Sequence, residues 1–342
     1  MSLYVIVAGL IFILHLVYDS TKSEKNRAWL WYISCFMILF LTAMRSYNTG
    51  SDTIQYVNLF KSMHNTDWVD VFNNDYRDPG FVIFTKLVSM ITTHPTVFLA
   101  ITTIMSYAGV FDLIKRNSER PVLALYFTVT LGNFMFNFTG MRQAIAMSFC
   151  MFAVRFMQEK KPIRFLALVL IAALFHHSAY IFLPMYIIAH RKVNIPSLIV
   201  SVGVTFAAML SYEKLLGAAN DILGYDYGVE YTGNGFIFFM IILFVVGLAF
   251  LNKERWVTDE KQIVIMNMGI MCAVLWTFRL LGRTAERPSM YWLNVLPIVL
   301  TNATYTLKRE EEKKFVMFAS AALAFLLFYT RAGAMYYRFF WQ

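Results

Sequence analysis

Long apolar runs alternate with short polar turns from one end of the chain to the other. They fall at 2–18, 28–44, 80–92, 95–114, 121–138, 141–157, 162–175, 179–189, 195–210, 235–251, 262–281, 288–305 and 315–330. A helix needs about 20 residues to cross a hydrocarbon core, and most of these runs approach that length. The pattern predicts an all-α polytopic membrane protein, one integral-membrane domain over residues 1–342, with no linker, low-complexity tract or internal repeat. The first run lacks the basic leader and small-residue cleavage site of a secretory signal and reads as a retained helix.

Two stretches depart from the pattern. The run at 80–92 reaches only about 20 Å at helical rise, so it is expected to be re-entrant or half-spanning. The segment 52–72 is too polar to cross and reads as an amphipathic helix lying on the outer surface. Removing 80–92 from the count leaves about 12 transmembrane helices, with both termini outside.

Charge fixes that count. The chain of 342 residues is 58% hydrophobic, 17% aromatic and only 15% charged, which excludes an ordinary soluble protein. Its net charge of +9 suggests nucleic acid until the basic residues are placed. Nineteen of the 30 gather in alternate loops: Lys22/Lys25/Arg27, Lys115/Arg116/Arg120, Arg155/Lys160/Lys161/Arg164, Arg191/Lys192, Lys253/Arg255/Lys261 and Lys308/Arg309/Lys313/Lys314. Such an excess belongs to cytoplasmic loops, so the charge is a topology signal and no nucleic acid partner is expected. Thirteen crossings would put the loop 115–120 and every later basic loop on the wrong side. Arg331 and Arg338, outward in this scheme, run against it. The long outward loops carry the acids, Asp52, Asp67, Asp70, Asp75 and Asp78 in one and Glu213, Asp221, Asp226 and Glu230 in the other. Cys35, Cys150 and Cys272 lie inside apolar runs, with no metal or disulfide spacing, and read as packing residues.

With sides assigned, the unusual polar clusters all fall outside: 45–52, 76–81, 137–143, 175–179 and 278–292. Convergence on one face predicts one site. Arg142 follows Gly140 at a helix start, where free backbone N–H groups and the dipole favour an anion and a guanidinium adds a bidentate grip; alone, it reads equally as an interfacial arginine reaching lipid headgroups. Arg279, Arg283 and Arg287, at i, i+4 and i+8, form one expected stripe continued by Tyr291. No Asp-x-Asp, His-x-x-x-His or cysteine cluster offers metal ligands, and no cofactor is expected. Three residues are candidate bases. Asp52 follows Gly50, with Arg45 seven residues earlier expected to keep it ionised. His176 titrates near neutrality. Asp78, before Pro79 and Gly80, reads equally as a helix N-cap. Asp67, Asp70 and Asp75 read as solvated charges.

These residues carry a likeness. R-x-x-N-x-G-x-D-x-x-x-Y (Arg45, Asn48, Gly50, Asp52, Tyr56), D-P-G-F from Asp78, M-R-Q-A-I-A from Met141, F-H-H-S-A from Phe175 and the late Arg/Tyr block resemble the EpsG family of Wzy-like bacterial polysaccharide polymerases. Asp78 departs from the family, which more often has Glu there. The resemblance implies polymerisation of undecaprenyl-pyrophosphate-linked repeat units into exopolysaccharide, capsule or O-antigen at the outer face of the cytoplasmic membrane. The implied partners are a lipid-linked donor and acceptor, membrane lipid and a chain-length regulator. In that reaction Arg45, Arg142, Arg279, Arg283, Arg287, Tyr291, Asn48, Tyr56 and Gln143 would bind pyrophosphate or glycan, and the base would be Asp52 first, His176 second, Asp78 third. No pattern for a covalent intermediate is present, so direct displacement with inversion, without a metal, is expected. A flippase or transporter of a lipid-linked or anionic sugar is the alternative from another class. It calls for broken helices and a pseudo-repeat, which the sequence does not display. An O-antigen ligase or a membrane acyltransferase is the nearer chemical rival; HHSAYIF does not continue as an acyltransferase HHxxxxD signature.

Overall fold

The architecture is that of a computed structural model, which describes residues 2–74, 76–223, 235–282, 286–333 and 335–342. In chain order the helices are α1 (Leu3–Ser20), α2 (Glu24–Ala43), α3 (Thr53–His64), α4 (Trp68–Asn73), α5 (Pro79–Ile91), α6 (Pro95–Asn117), α7 (Pro121–Thr130), α8 (Met141–Gln158) and α9 (Pro162–Phe175). There follow α10 (Met185–Ile188), α11 (Ile195–Leu210), α12 (Tyr212–Leu223), α13 (Phe236–Leu251), α14 (Lys253–Trp256), α15 (Glu260–Arg279), α16 (Glu286–Leu293), α17 (Leu296–Tyr305) and α18 (Glu310–Ala332). Two 3-10 turns, Met135–Phe138 and His177–Phe182, interrupt the series. Prolines open α5, α6, α7, α9, α11 and α17 from the first turn, where their missing N–H has no partner to lose.

Four helices, α1, α6, α15 and α18, are long and apolar enough by themselves to cross a membrane; α5, α7, α9, α11 and α13 are apolar but shorter. Large apolar side chains point outward all along the bundle, among them Phe36, Ile104, Val202, Phe206 and Phe244. An exposed apolar surface of that extent needs lipid around it. Inside, α8 is the centre post, buried on nearly every side and packed on α6 and α9. Gly109 of α6 donates its N–H to Ser148 Oγ at 2.8 Å, and a Cβ there would sit 1.9 Å from Ser148 O, so only glycine permits this crossing. The three cysteines are free and buried.

Hydrogen bonds assign the turns to two ends. The basic loops meet at one. Gln158 Nε2 donates to Asn117 Oδ1 (2.7 Å) and Lys261 O (3.2 Å), and Asn302 Nδ2 donates to Asn117 O (2.8 Å). Lys253 Nζ reaches Val193 O, Arg255 reaches Thr306 O, and Arg120 pairs with Asp19. At the other end stand all five polar clusters and the C-terminal tail, where Ser46 N donates to Arg338 O, Phe340 N to Met44 O, and Arg45 bridges Phe339 as an antiparallel pair. The 13-residue α5 begins and ends at this second end: Asp78 meets His177 there, and His94, just past its C-terminus, packs on Phe340 with ring centroids 6.1 Å apart. It therefore does not run the length of the bundle. Residues 52–72 form α3 and α4, and α3 buries Thr53, Tyr56, Val57, Phe60 and Met63 at helical spacing, with Phe60 stacked on Phe98 at 4.6 Å.

Three expected continuous helices are broken. The run 121–138 stops at Thr130 and resumes as a 3-10 turn, because Gly132 weakens the helix and Asn133 turns its amide to Met290 O (2.8 Å) and Asn294 Oδ1 (3.1 Å). The run 288–305 divides into α16 and α17, since Pro297 cannot donate to the carbonyl four residues earlier. The run 179–189 becomes a 3-10 turn and the short α10 around Pro184, for the same reason. The first two breaks are neighbours, stapled by the Asn133–Asn294 contact.

Candidate functional site

Asp78 occupies the N-cap position of α5, yet its carboxylate makes no capping bond. It turns away because two stronger partners lie beside it. Arg142 Nη1, in the first turn of α8, donates to Oδ2 at 2.6 Å; on Oδ1 converge the His177 backbone N–H at 3.3 Å and His177 Nδ1 at 3.2 Å. Asp78 is 3% exposed, whereas the Arg142 and His177 side chains are 41% and 33% exposed. Burial pushes the carboxyl above its ordinary value, and Arg142, then His177, pull it back. The arginine and the imidazole are thus held from behind with surface to spare in front. A carboxylate accepting at Nδ1 leaves the imidazole lone pair on Nε2.

Around this triad stand further residues singled out in the sequence. Tyr56 is buried, hydrogen-bonds Arg142 and packs edge-on against Phe81. Gln143 Nε2 donates to Arg287 O at 2.6 Å, tying α8 to the start of α16. His176 is buried in the turn between two helices. Its Nδ1 accepts from Ser178 N–H (3.3 Å) and lies 2.6 Å from Ser178 Oγ, which in turn meets Tyr291 OH at 2.9 Å. Burial, then Arg142 and Arg287, hold the His176 pKa down at about 3. Gln143, His176 and Tyr291 therefore position the wall of the site.

Across α16 lies a cavity of about 1020 Å³. The loop carrying Asn48, Thr49 and Gly50 lines it, as do the two helix breaks, Arg279, Glu286 and Arg331. Gly50 holds φ at +93°, and a Cβ there would lie 1.9 Å from Phe138 O, so glycine is required where the two loops cross. Arg279 Nε donates to Glu286 Oε2 at 2.8 Å, and Arg331 lies 5.1 Å from the centroid of the Phe238 ring.

Four expectations change. The arginine stripe is not continuous: α15 ends at Arg279 and α16 begins at Glu286, so Arg279 faces the cavity while Arg287 and Tyr291 lie on the triad's side; Arg283 lies outside the described residues. Arg45 is 1% exposed, donates to Thr42 O and Met141 Sδ, and lies over the Phe138 ring, an interior placement that does not suit substrate contact. It makes no ion pair with Asp52, whose Oδ1 instead accepts from Ser51 Oγ at 2.7 Å at the start of α3. Asp78, ranked third among the candidate bases, is the one at the charged centre. Asp67, Asp70, Glu213 and Asp221 are exposed; Asp75, Asp226 and Glu230 lie outside the described residues. Among the described residues no group of three or more His, Cys, Asp or Glu side chains is arranged to hold a metal ion.

His177, Glu286 and Arg331 were not among the expected site residues. The available signals were the doubled histidine after a helix end, an acid seven residues beyond Arg279, and an arginine set against the charge bias.

Fold and site together define a polytopic helical membrane protein with a buried carboxylate, braced by an arginine and a histidine, at one end of its bundle. The chain belongs to the EpsG family, which it matches over residues 28–340, a family associated with polysaccharide synthesis. No curated protein and no solved structure matches it.

Proposed function

We propose that the protein polymerises polysaccharide by transferring a glycan from a polyprenyl-pyrophosphate carrier to a hydroxyl of a second lipid-linked repeat unit. The reading puts the triad at the outer face of the bacterial cytoplasmic membrane. The observation that carries it is Asp78 clamped between Arg142 and His177. His177 Nε2 takes the proton of the acceptor hydroxyl, with Asp78 stabilising the imidazolium that forms. The acceptor oxygen bonds to the anomeric carbon as that carbon's bond to the phosphate oxygen breaks, with inversion. The pyrophosphate leaves carrying the electron pair, neutralised by Arg142, Arg287 and the amide groups opening α8.

The same reading takes the bundle as about twelve passes. The broken segments at 121–138, 177–189 and 286–305 count as passes, α5 does not, and both termini are outside. Non-helical backbone at membrane depth is tolerated where it lines a cavity, as the segments at 121–138 and 286–305 do.

The deciding experiment supplies purified protein in vesicles with a synthetic undecaprenyl-pyrophosphate repeat unit and scores longer lipid-linked glycan. One observation favours a second reading. Broken passes meeting at Asn133 and Asn294 beside a cavity are also what a flippase or transporter of an anionic sugar lipid requires. Passage of the unchanged lipid across the vesicle without elongation would select that reading and dismiss the polymerase.

A further inference from the structure

A second cavity, of about 280 Å³, lies between α13, α17 and α18. Of its described lining residues only Ser320 has a polar side chain. It runs from Ile237 to Val245 along α13 and from Leu327 back to Ser320 along α18, about 12 Å by helical rise. Its rim opens sideways: Ile237, Met240, Phe244 and Leu323 are each about half exposed or more. A groove of this kind on a lipid-facing surface admits a hydrocarbon chain from the side of the bundle.

What its head end touches says which chain. Leu131 lines both this groove and the large cavity, and the two adjoin along both helices, Ile237 lining one and Phe238 the other, Leu327 one and Phe328 the other. At the junction stand two cations. Arg331 is one helical turn beyond Leu327 on α18 and lies over the Phe238 ring; Arg279 reaches in from the end of α15. Glu286 pairs with Arg279 and acts electrostatically on Arg331, so among the described residues of the mouth one carboxylate faces two guanidiniums. An apolar slot ending at paired arginines is complementary to a long chain carrying a phosphate.

We propose that this groove holds the hydrocarbon chain of a lipid-phosphate substrate, with its phosphate at Arg279 and Arg331 and its glycan in the large cavity. It rests on the polymerase reading, which needs two lipid-linked molecules at once. The triad at Arg142 serves one and this mouth the other, with α16 between them.

The test is photocrosslinking in vesicles of phosphatidylethanolamine and phosphatidylglycerol containing a clickable undecaprenyl phosphate. Met240→benzoylphenylalanine reports the groove, and Phe36→benzoylphenylalanine, on the lipid-facing side of α2 and 62% exposed, reports bulk lipid. The expected result is strong crosslinking at 240, little at 36, displacement by unlabelled undecaprenyl phosphate, and a roughly tenfold or greater loss with Arg331→Ala, the scale of a lost charge-assisted contact. Equal yields at the two positions, or equal displacement by added phosphatidylglycerol, overturn the proposal by showing ordinary bilayer lipid. If Arg331→Ala fails to fold, Arg331→Lys replaces it, and full crosslinking there removes the bidentate phosphate contact and with it the proposal. Elongation without crosslinking at 240 rejects the groove alone. Crosslinking without elongation rejects the polymerase and leaves the groove standing.

Discussion

The two ends of the bundle treat polar groups in opposite ways. At the basic end, carboxamides are spent inside the protein. Gln158 bonds the end of α6 through Arg116 and Asn117 and the start of α15 through Lys261, and Asn267 closes on Ala189 O and Arg191 O. The charges there stay outside, as in the exposed Lys160–Glu260 pair. At the arginine end the charges are inside: Asp78 is buried, Arg142 and His177 are braced against it, and a large cavity adjoins. A buried carboxylate paired with a charged side chain is a poor way to hold helices together, because desolvation consumes most of the attraction. Carboxamide bonds to backbone do that work at lower cost. The difference teaches that one end is built for cohesion and the other for chemistry.

The sharpest way to break this comparison is to remove the brace from the chemistry. His177→Gln is expected to lower elongation by about 10²–10⁴, the usual contribution of a positioned base, and Arg142→Lys by about 10²–10³ through lost charge stabilisation. Yield and melting of both variants should stay near wild type. A variant that melts early instead would assign the triad to cohesion and erase the contrast.

Next in size is the response to acid. The His176 pKa is held near 3 in the fold against an ordinary 6.5, so the neutral ring is favoured by folding. Its stabilising contribution is complete above pH 6.5 and is lost as pH falls from there toward 3. Thermal unfolding in detergent should show that slope, and His176→Gln should lack it; an unchanged slope would mean that His176 is not buried neutral.

Gln158→Ala tests the other end. It leaves buried partners unsatisfied and is expected to cost about 1–3 kcal/mol of stability, while turnover per folded molecule is unchanged. A fall in turnover at unaltered stability would show the basic end taking part in the reaction. Smallest of all, Lys160→Ala removes an exposed pair and should leave the melting curve where it was.

Much of this division was readable from the basic loops, because charge sidedness is set residue by residue and survives whatever the helices do between. Arg142, Asp78 and Tyr291 were legible as members of one face for the same reason. Their partnerships were not. Asp78 and His177 are 99 positions apart, and nothing local tells a capping aspartate from one turned toward a distant imidazole. The helix breaks escaped for a related cause: hydropathy continues smoothly through Asn133 and Asn294, and it is the amide contact between these two that ties the broken segments together. Arg45 misled because an arginine beside a polar loop looks solvent-facing, while the rings of Phe138 and Tyr4 shelter it inside.

The pairing of residues 44–46 with the C-terminal tail has a consequence for biogenesis. Met44, Arg45 and Ser46 emerge early in translation, but their backbone partners, Arg338, Phe339 and Phe340, lie nearly a chain length downstream. At about 5–20 residues per second the interval is on the order of 15–60 s. Through that interval the loop bearing Asn48 and Gly50 is without its last support, and the cavity it lines takes final form only when the tail arrives.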